Sequence, residues 1–219
     1  MPTVKRLTHA ESKAQTQRRL IAAGREHFLR YGFSKSSAEK ITKRAGYTRG
    51  ALYSNFGDKE GLFLAVIREM RDKSMAGFSK LVTETSGEKL LQAIRQGNVN
   101  LLSTPEFMLR LEFELECLRN KSLRQRYVEL ENEILVESRE LLRSMQEKCD
   151  IGSTFDPQDF IASLWSFQRG LVITQLLLEP TVTLKDTQRM MLTFFDLITA
   201  QSKSKTKAKV ASRPRIRRD

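Results

Sequence analysis

Thr48-Arg49-Gly50-Ala51 sets a guanidinium between a hydroxyl and two residues with almost no side chain. A guanidinium is a planar fork of N–H donors that fits O6 and N7 of guanine, or the oxygens of a phosphate. Gly50 and Ala51 have little bulk to hold a helix away from the floor of a groove. Gly46 stands just upstream, and glycine takes the left-handed turn conformation without the steric cost of a Cβ. Other chemistry is poorly provided for. Two histidines (His9, His27) and two isolated cysteines (Cys117, Cys149) make no metal-ligand pattern. No nucleophile–base motif and no phosphate loop is found, so an enzyme is not expected.

The elements that must position these residues are helical. No stretch alternates with period 2 between turn signals, and only five prolines occur. Apolar spacing predicts a first helix over 12–31, with Leu20, Ile21, Phe28 and Tyr31 on one side and Gly32 ending it. Ser36-Ser-Ala-Glu39 reads as a capping box for a short second helix that starts at Ser36 or Ser37 and stops at Gly46. Thr48 is a good N-cap for a third, over 49–55, and Gly57-Asp58 opens a fourth over 59–81. Two short helices about a tight glycine turn make a helix-turn-helix, whose second helix enters the major groove of duplex DNA. Downstream helices are predicted from Ser86-Gly87, over 105–119, over 122–148, over 157–178 and from Thr183 to a fade near Gln201. Thr104-Pro105 and Asp156-Pro157 supply cap-then-proline starts.

Charge agrees with a polyanionic partner. The 219 residues carry 38 Lys+Arg and 26 Asp+Glu, a net of +12. Residues 1–60 hold 13 basic and 5 acidic side chains, 61–202 hold 17 and 20, and 203–219 hold 8 and 1. Two basic ends thus flank a slightly acidic middle. Residues 202–219 lack apolar mass and read as a disordered tail, either a further phosphate contact or a solubilising end. No apolar run approaches the length that spans a bilayer, and no secretory signal is expected, which favours a reducing cytoplasm and no membrane partner.

The stretch Leu20–Ile67 resembles the TetR/AcrR family of one-component transcriptional regulators. The resemblance rests on Ala22-Ala23, Phe28, Gly32-Phe33, Ile41, Ala45-Gly46, Leu52-Tyr53, Phe56, Lys59-Glu60 and Leu62. Beyond Ile67 it is looser, in Leu164-Trp165, Gly170-Leu171 and Leu178-Glu179-Pro180. Thr42 and Tyr47 depart from the family's commoner Ala and Val. The resemblance implies an all-α fold: an N-terminal three-helix helix-turn-helix DNA-binding domain (1–58), then a helical ligand-binding and dimerisation bundle (59–201). It places Ser36 and Ser37 against phosphate, starts the recognition helix at Thr48, Arg49 and Gly50, and puts Tyr53 and Asn55 on phosphate or base edges. It makes Lys59 a phosphate ligand, consistent with an ammonium at a helix N-terminus being an anion site. Arg49 is a base contact or a phosphate contact; Phe56 reads as core.

The same resemblance implies a ligand pocket and a dimer surface. Pocket candidates are Phe107, Met108, Leu111, Cys117, Trp165, Phe167 and Gln168, with Arg110, Glu112, Glu114, Glu116 or Arg169 as polar groups. Glu112, Glu114 and Glu116 also read in part as a solvated face. Dimer candidates are Trp165, Gly170, Met191, Phe194, Phe195 and Ile198. The expected partners are a double-stranded DNA operator, a second copy of the chain and an unidentified small-molecule effector, with no cofactor. The expected function is a sequence-specific, ligand-responsive repressor; a non-specific basic nucleic-acid binder is the alternative.

Overall fold

The computed structural model describes residues 8–95, 103–149 and 156–211. Among them the secondary structure is entirely helical: α1 His9–Tyr31, α2 Ala38–Ala45, α3 Arg49–Phe56, α4 Lys59–Glu84, α5 Gly87–Arg95, α6 Thr104–Arg119, α7 Lys121–Lys148, α8 Pro157–Leu178 and α9 Leu184–Ala211. The chain divides into two compact units, Met1–Gly77 with Asn100–Asn132, and Phe78–Val99 with Glu133–Asp219. The sequence suggests a boundary at 58/59. The first unit instead takes in α6 and the start of α7, because side chains of those helices complete its core.

That core is aromatic. Phe28, Phe33, Phe63 and Phe113 are all nearly or fully buried, alongside Leu20, Ile41, Leu52 and Leu62. Phe63 and Phe113 stack with centroids 4.2 Å apart, and Phe33 meets both edge-on at 4.9 and 5.0 Å. Offset and edge-on contacts suit the ring quadrupoles and add to the area buried. Helix α1 packs on α2, α3 and α6. His27 is buried beside Tyr31, and burial with the Lys40 and Arg44 charges holds its pKa below the ordinary value. Thr42, a departure from the family pattern, is buried but satisfied, its hydroxyl donating to Glu39 O at 3.1 Å.

The second unit has its own core of Val82, Leu90, Leu142, Met145, Cys149, Phe160 and Phe195. Lys148 closes the end of α4 by donating to Val82 O (2.6 Å) and Thr83 O (2.9 Å), a cation on orphan carbonyls. A Cβ on Gly87 would fall 1.8 Å from Lys148 O, so a side chain there is excluded by the backbone of α7.

Several local expectations are corrected. Helix α1 starts at His9, where Thr8 and Glu11 form a capping box. Ser36 is not a cap: its hydroxyl turns inward to Gly32 O at 2.6 Å, and Ser37, in extended conformation, caps α2 by accepting from Lys40 N–H. Helix α6 begins at Thr104 with Ser103 as N-cap, one residue earlier than expected, and Glu106 accepts the Ser103 N–H. Helix α9 continues to Ala211 rather than fading near Gln201. The lysines and alanines there are strong helix formers, cations suit a helix C-terminus, and extending a nucleated helix is easier than starting one. Residues 212–219 of the expected tail lie outside the described residues.

Candidate nucleic-acid interface

The turn of the motif is built as its glycine requires. Gly46 is left-handed (φ 74°, ψ 30°), and Tyr47 N–H returns to Thr42 O at 2.9 Å. No atom lies within 4 Å of where a Gly46 Cβ would stand, so this glycine serves conformation and not close packing. Thr48 is the N-cap of α3 by its backbone (φ −82°, ψ 161°), without a side-chain cap hydrogen bond, which leaves its hydroxyl uncommitted to the helix.

Helix α3 hides one side and offers the other. Leu52 is fully buried, whereas Thr48, Arg49, Gly50, Tyr53 and Ser54 are exposed. Arg49 Nη2 donates to Tyr53 Oη at 3.2 Å, and the guanidinium carbon lies 5.8 Å from the ring centroid. The pair presents a cation and a phenol together on the open face. A Cβ on Gly50 would come no closer than 3.7 Å to a neighbour, so its bareness is not demanded by the fold. Asn55 is turned away: its amide nitrogen donates to Ala51 O at 2.8 Å, and its oxygen is buried without a hydrogen-bond partner among the described residues. Phe56, read as core, is half-buried.

Lys59 opens α4 and lies against the α1–α2 turn. Its ammonium donates to Phe33 O (3.2 Å) and Ser36 O (3.3 Å) and sits 4.1 Å from the Phe33 ring centroid. An ammonium has three donors, so one remains for an anion at the α2 N-terminus. Ser37 is half-buried at that terminus; Ser36 is buried and spends its hydroxyl internally.

Three carboxylates fix this region; sequence reading gave the cap by Asp58 but missed the long-range partners of all three. Glu112 of α6 accepts Phe33 N–H (3.1 Å) and Ser34 N–H (3.0 Å). Glu106 pairs with Arg25 at 2.8 Å. Asp58 receives both Nη atoms of Arg126 at 2.9–3.1 Å and caps α4 through Gly61 N–H at 2.6 Å. Burial pushes Asp58 and Glu106 up, yet hydrogen bonds and the neighbouring guanidinium charge outweigh it, and both carboxyls ionise below their ordinary values. A Cβ on Gly61 would stand 2.0 Å from Phe56 O, which is why the α3–α4 corner needs glycine.

The pocket and dimer candidates are distributed differently from expectation. Phe107, Met108, Leu111 and Cys117 lie on α6 in the first unit; Trp165, Phe167 and Gln168 lie on α8 in the second. Trp165 packs against the second core, and Phe167 stacks on Phe194 at 4.2 Å. Glu114 and Arg110 are joined with Tyr127 and Glu131 in one half-buried network at 2.7–3.1 Å, so the acidic run is not simply solvated. Phe195 is withdrawn from the dimer set, because it is only 4% exposed inside the second core. Met191 and Phe194 are half-buried, Gly170 is open, and the Ile198 side chain lies outside the described residues. Among the described residues no group of His, Cys, Asp and Glu is arranged to hold a metal, and no helix is long and apolar enough to cross a membrane.

These features define a helix-turn-helix protein whose third helix presents an arginine and a tyrosine on an open face. Residues 20–66 match the family described as bacterial regulatory proteins, tetR family. That match covers the whole helix-turn-helix segment and bears out the resemblance to the family there. It is 28% identical over 106 residues to an HTH-type transcriptional repressor of Mycobacterium tuberculosis, covering 48% of this chain and 51% of that one. It is 24% identical over 123 residues to the repressor AcnR of Corynebacterium glutamicum, covering 54% and 60%. The chain thus spans about half to three fifths of the length of these relatives. Its fold is similar to that of FadR from Bacillus subtilis in complex with stearoyl-CoA (TM-score 0.60, 19% identity, 83% of this chain and 97% of that one). A Saccharomonospora viridis structure in complex with choline is also similar (TM-score 0.62, 15% identity, 84% and 96%).

Proposed function

We propose that the protein is a sequence-specific DNA-binding repressor that acts as a homodimer on a near-palindromic operator and responds to a small molecule. The observation that carries this is the exposed Arg49–Tyr53 pair beside bare Gly50, on the helix that follows the glycine turn. Two recognition helices then enter successive major grooves about 34–36 Å apart. Thr48, Arg49, Gly50 and Tyr53 are the groove-facing set, with Ser37 and Lys59 on phosphate. Ser36 and Asn55 contribute by shaping the backbone, since their side chains are spent inward.

Dimerisation is supported by exposed leucines on α8 and α9, among them Leu177, Leu184 and Leu197. Such apolar surface gains by covering. Effector binding is supported only by analogy with the relatives solved with stearoyl-CoA and with choline. A cytoplasmic location goes with the role. An effector must bind one DNA-spacing state better than the other to shift anything.

The test is footprinting and fluorescence anisotropy on the duplex upstream of the protein's own gene, with random duplex as competitor. A protected, two-fold related site of higher affinity than random duplex supports the reading. Equal affinity for both, abolished by removing residues 203–219, establishes the non-specific binder instead.

A further inference from the structure

We propose that Glu112 of α6 is a positioning residue for the phosphate contact of Lys59, acting through the peptide groups of the α1–α2 turn; this rests on the DNA-binding reading above. Phe33 connects the two side chains. Its N–H donates to Glu112 Oε2 at 3.1 Å, and its C=O accepts from Lys59 Nζ at 3.2 Å. The next N–H, of Ser34, takes the other carboxylate oxygen at 3.0 Å, and the Ser36 C=O takes Lys59 again at 3.3 Å. An anion therefore holds the N–H side of the turn and a cation its C=O side. The peptide dipoles between them are polarised in one sense, and hydrogen bonds in such a chain strengthen one another.

The turn has been shaped around the carboxylate. Gly32 is at φ 78°, and a Cβ there would lie 2.6 Å from Glu112 Oε2. The Phe33 ring, buried against Phe63 and Phe113, fixes the peptide that carries both bonds and gives the ammonium a π face at 4.1 Å. Without Glu112, two N–H groups of the turn lose their acceptor. The two carbonyls that hold Lys59 are then less firmly placed. Glu106 makes a useful contrast, since it also ties α6 to α1, through Arg25, but touches no peptide of this turn.

The experiment measures operator affinity of the full chain against salt for wild type, Lys59→Gln, Glu112→Gln, Glu106→Gln and the Lys59/Glu112 double variant. A glutamine at 112 cannot give each N–H its own acceptor atom as the carboxylate does, because one of its two terminal atoms is itself a donor, and it carries no charge. Lys59→Gln is expected to weaken binding about tenfold and to flatten the log–log salt slope by about 0.9 for each phosphate no longer neutralised. Glu112→Gln should do most of the same, and the double variant should bind no worse than Lys59→Gln alone, which is the mark of two groups acting as one. Glu106→Gln should leave the slope unchanged. Additive losses in the double variant overturn the proposal, as does a Glu112→Gln loss with an unaltered slope. If Glu112→Gln loses its helical signal, amide exchange of the wild type replaces it. Duplex should then slow exchange at Phe33 and Ser34, since coupling is reciprocal, and unchanged exchange counts against the proposal. A wild type that does not prefer the operator removes the DNA-binding reading and this proposal with it. Glu112→Gln without effect, where Lys59→Gln has one, removes this proposal alone.

Discussion

Arg49 Nη2 donates to Tyr53 Oη at 3.2 Å, across one turn of α3. The bond holds a long, flexible side chain over an aromatic ring and so reduces the freedom it must give up on binding. Tyr53→Phe keeps the ring and removes the acceptor. It should weaken operator binding severalfold, while Arg49→Ala should cut the operator-to-random preference by about 1–3 kcal/mol, the scale of a bidentate base contact. Competition anisotropy at fixed salt measures both. An Arg49→Ala protein with unchanged preference assigns that arginine to phosphate.

Gly50 and Gly32 should separate function from folding. Gly50 is exposed on α3 with room for a Cβ. Gly50→Ala should therefore fold at least as well, gaining up to ~1 kcal/mol of helix propensity, yet lose DNA affinity about tenfold as the helix is held off the groove floor. Gly32→Ala should do the opposite first. Its positive φ and the nearby Glu112 carboxylate should lower stability by about 1–3 kcal/mol, seen as a drop in the urea midpoint.

Asp58 unites the start of α4 with Arg126 of α7. Its pKa is lowered in the folded protein, so its contribution is fully present above the unfolded value of about 4 and is lost as pH falls through the lower folded value. Asp58→Asn should cost about 1–2 kcal/mol at neutral pH, modest because the pair is partly solvated. The gap between wild type and variant in urea unfolding should stay constant above about pH 4 and shrink as pH falls below it. A gap that persists undiminished at low pH assigns the loss to packing and not to the charge.

Phe113→Ala should be the most damaging of these changes, at about 3–5 kcal/mol, because it removes the stack on Phe63 and the edge contact with Phe33. Since Phe113 lies on α6, thermal unfolding of this variant should also show the helix-turn-helix losing stability. A helix-turn-helix that melts at the wild-type temperature in that variant does not depend on α6.

Both cysteines should be unreactive in the native state. Burial, with Glu114 and Glu116 nearby, pushes the Cys117 thiol up to about 11, and burial raises Cys149 as well. A disulfide reagent at pH 7 should label neither until denaturant is added. Rapid native labelling of either makes that residue a candidate redox centre.

Much of the fold is written in short-range sequence. Capping residues, Gly46, the two prolines that open helices and apolar spacing all act within three or four residues. The helix order could therefore be read directly, and with it the exposed start of α3 at Thr48-Arg49-Gly50. Where local reading failed, two local choices competed, as with Ser36 and Ser37, or helix propensity overcame missing apolar packing, as in α9 beyond Gln201. The tertiary structure alone decided what joins residues far apart in sequence. Glu112 reaches Phe33 across 79 positions, Arg126 reaches Asp58 across 68, and Arg25 reaches Glu106 across 81. No periodicity encodes such pairs, since each depends on two helices meeting at one height and rotation. The same holds for Phe195, which the apolar stripe of α9 suggested for the dimer surface. Packing against Val82 and Phe160 settled it for the core.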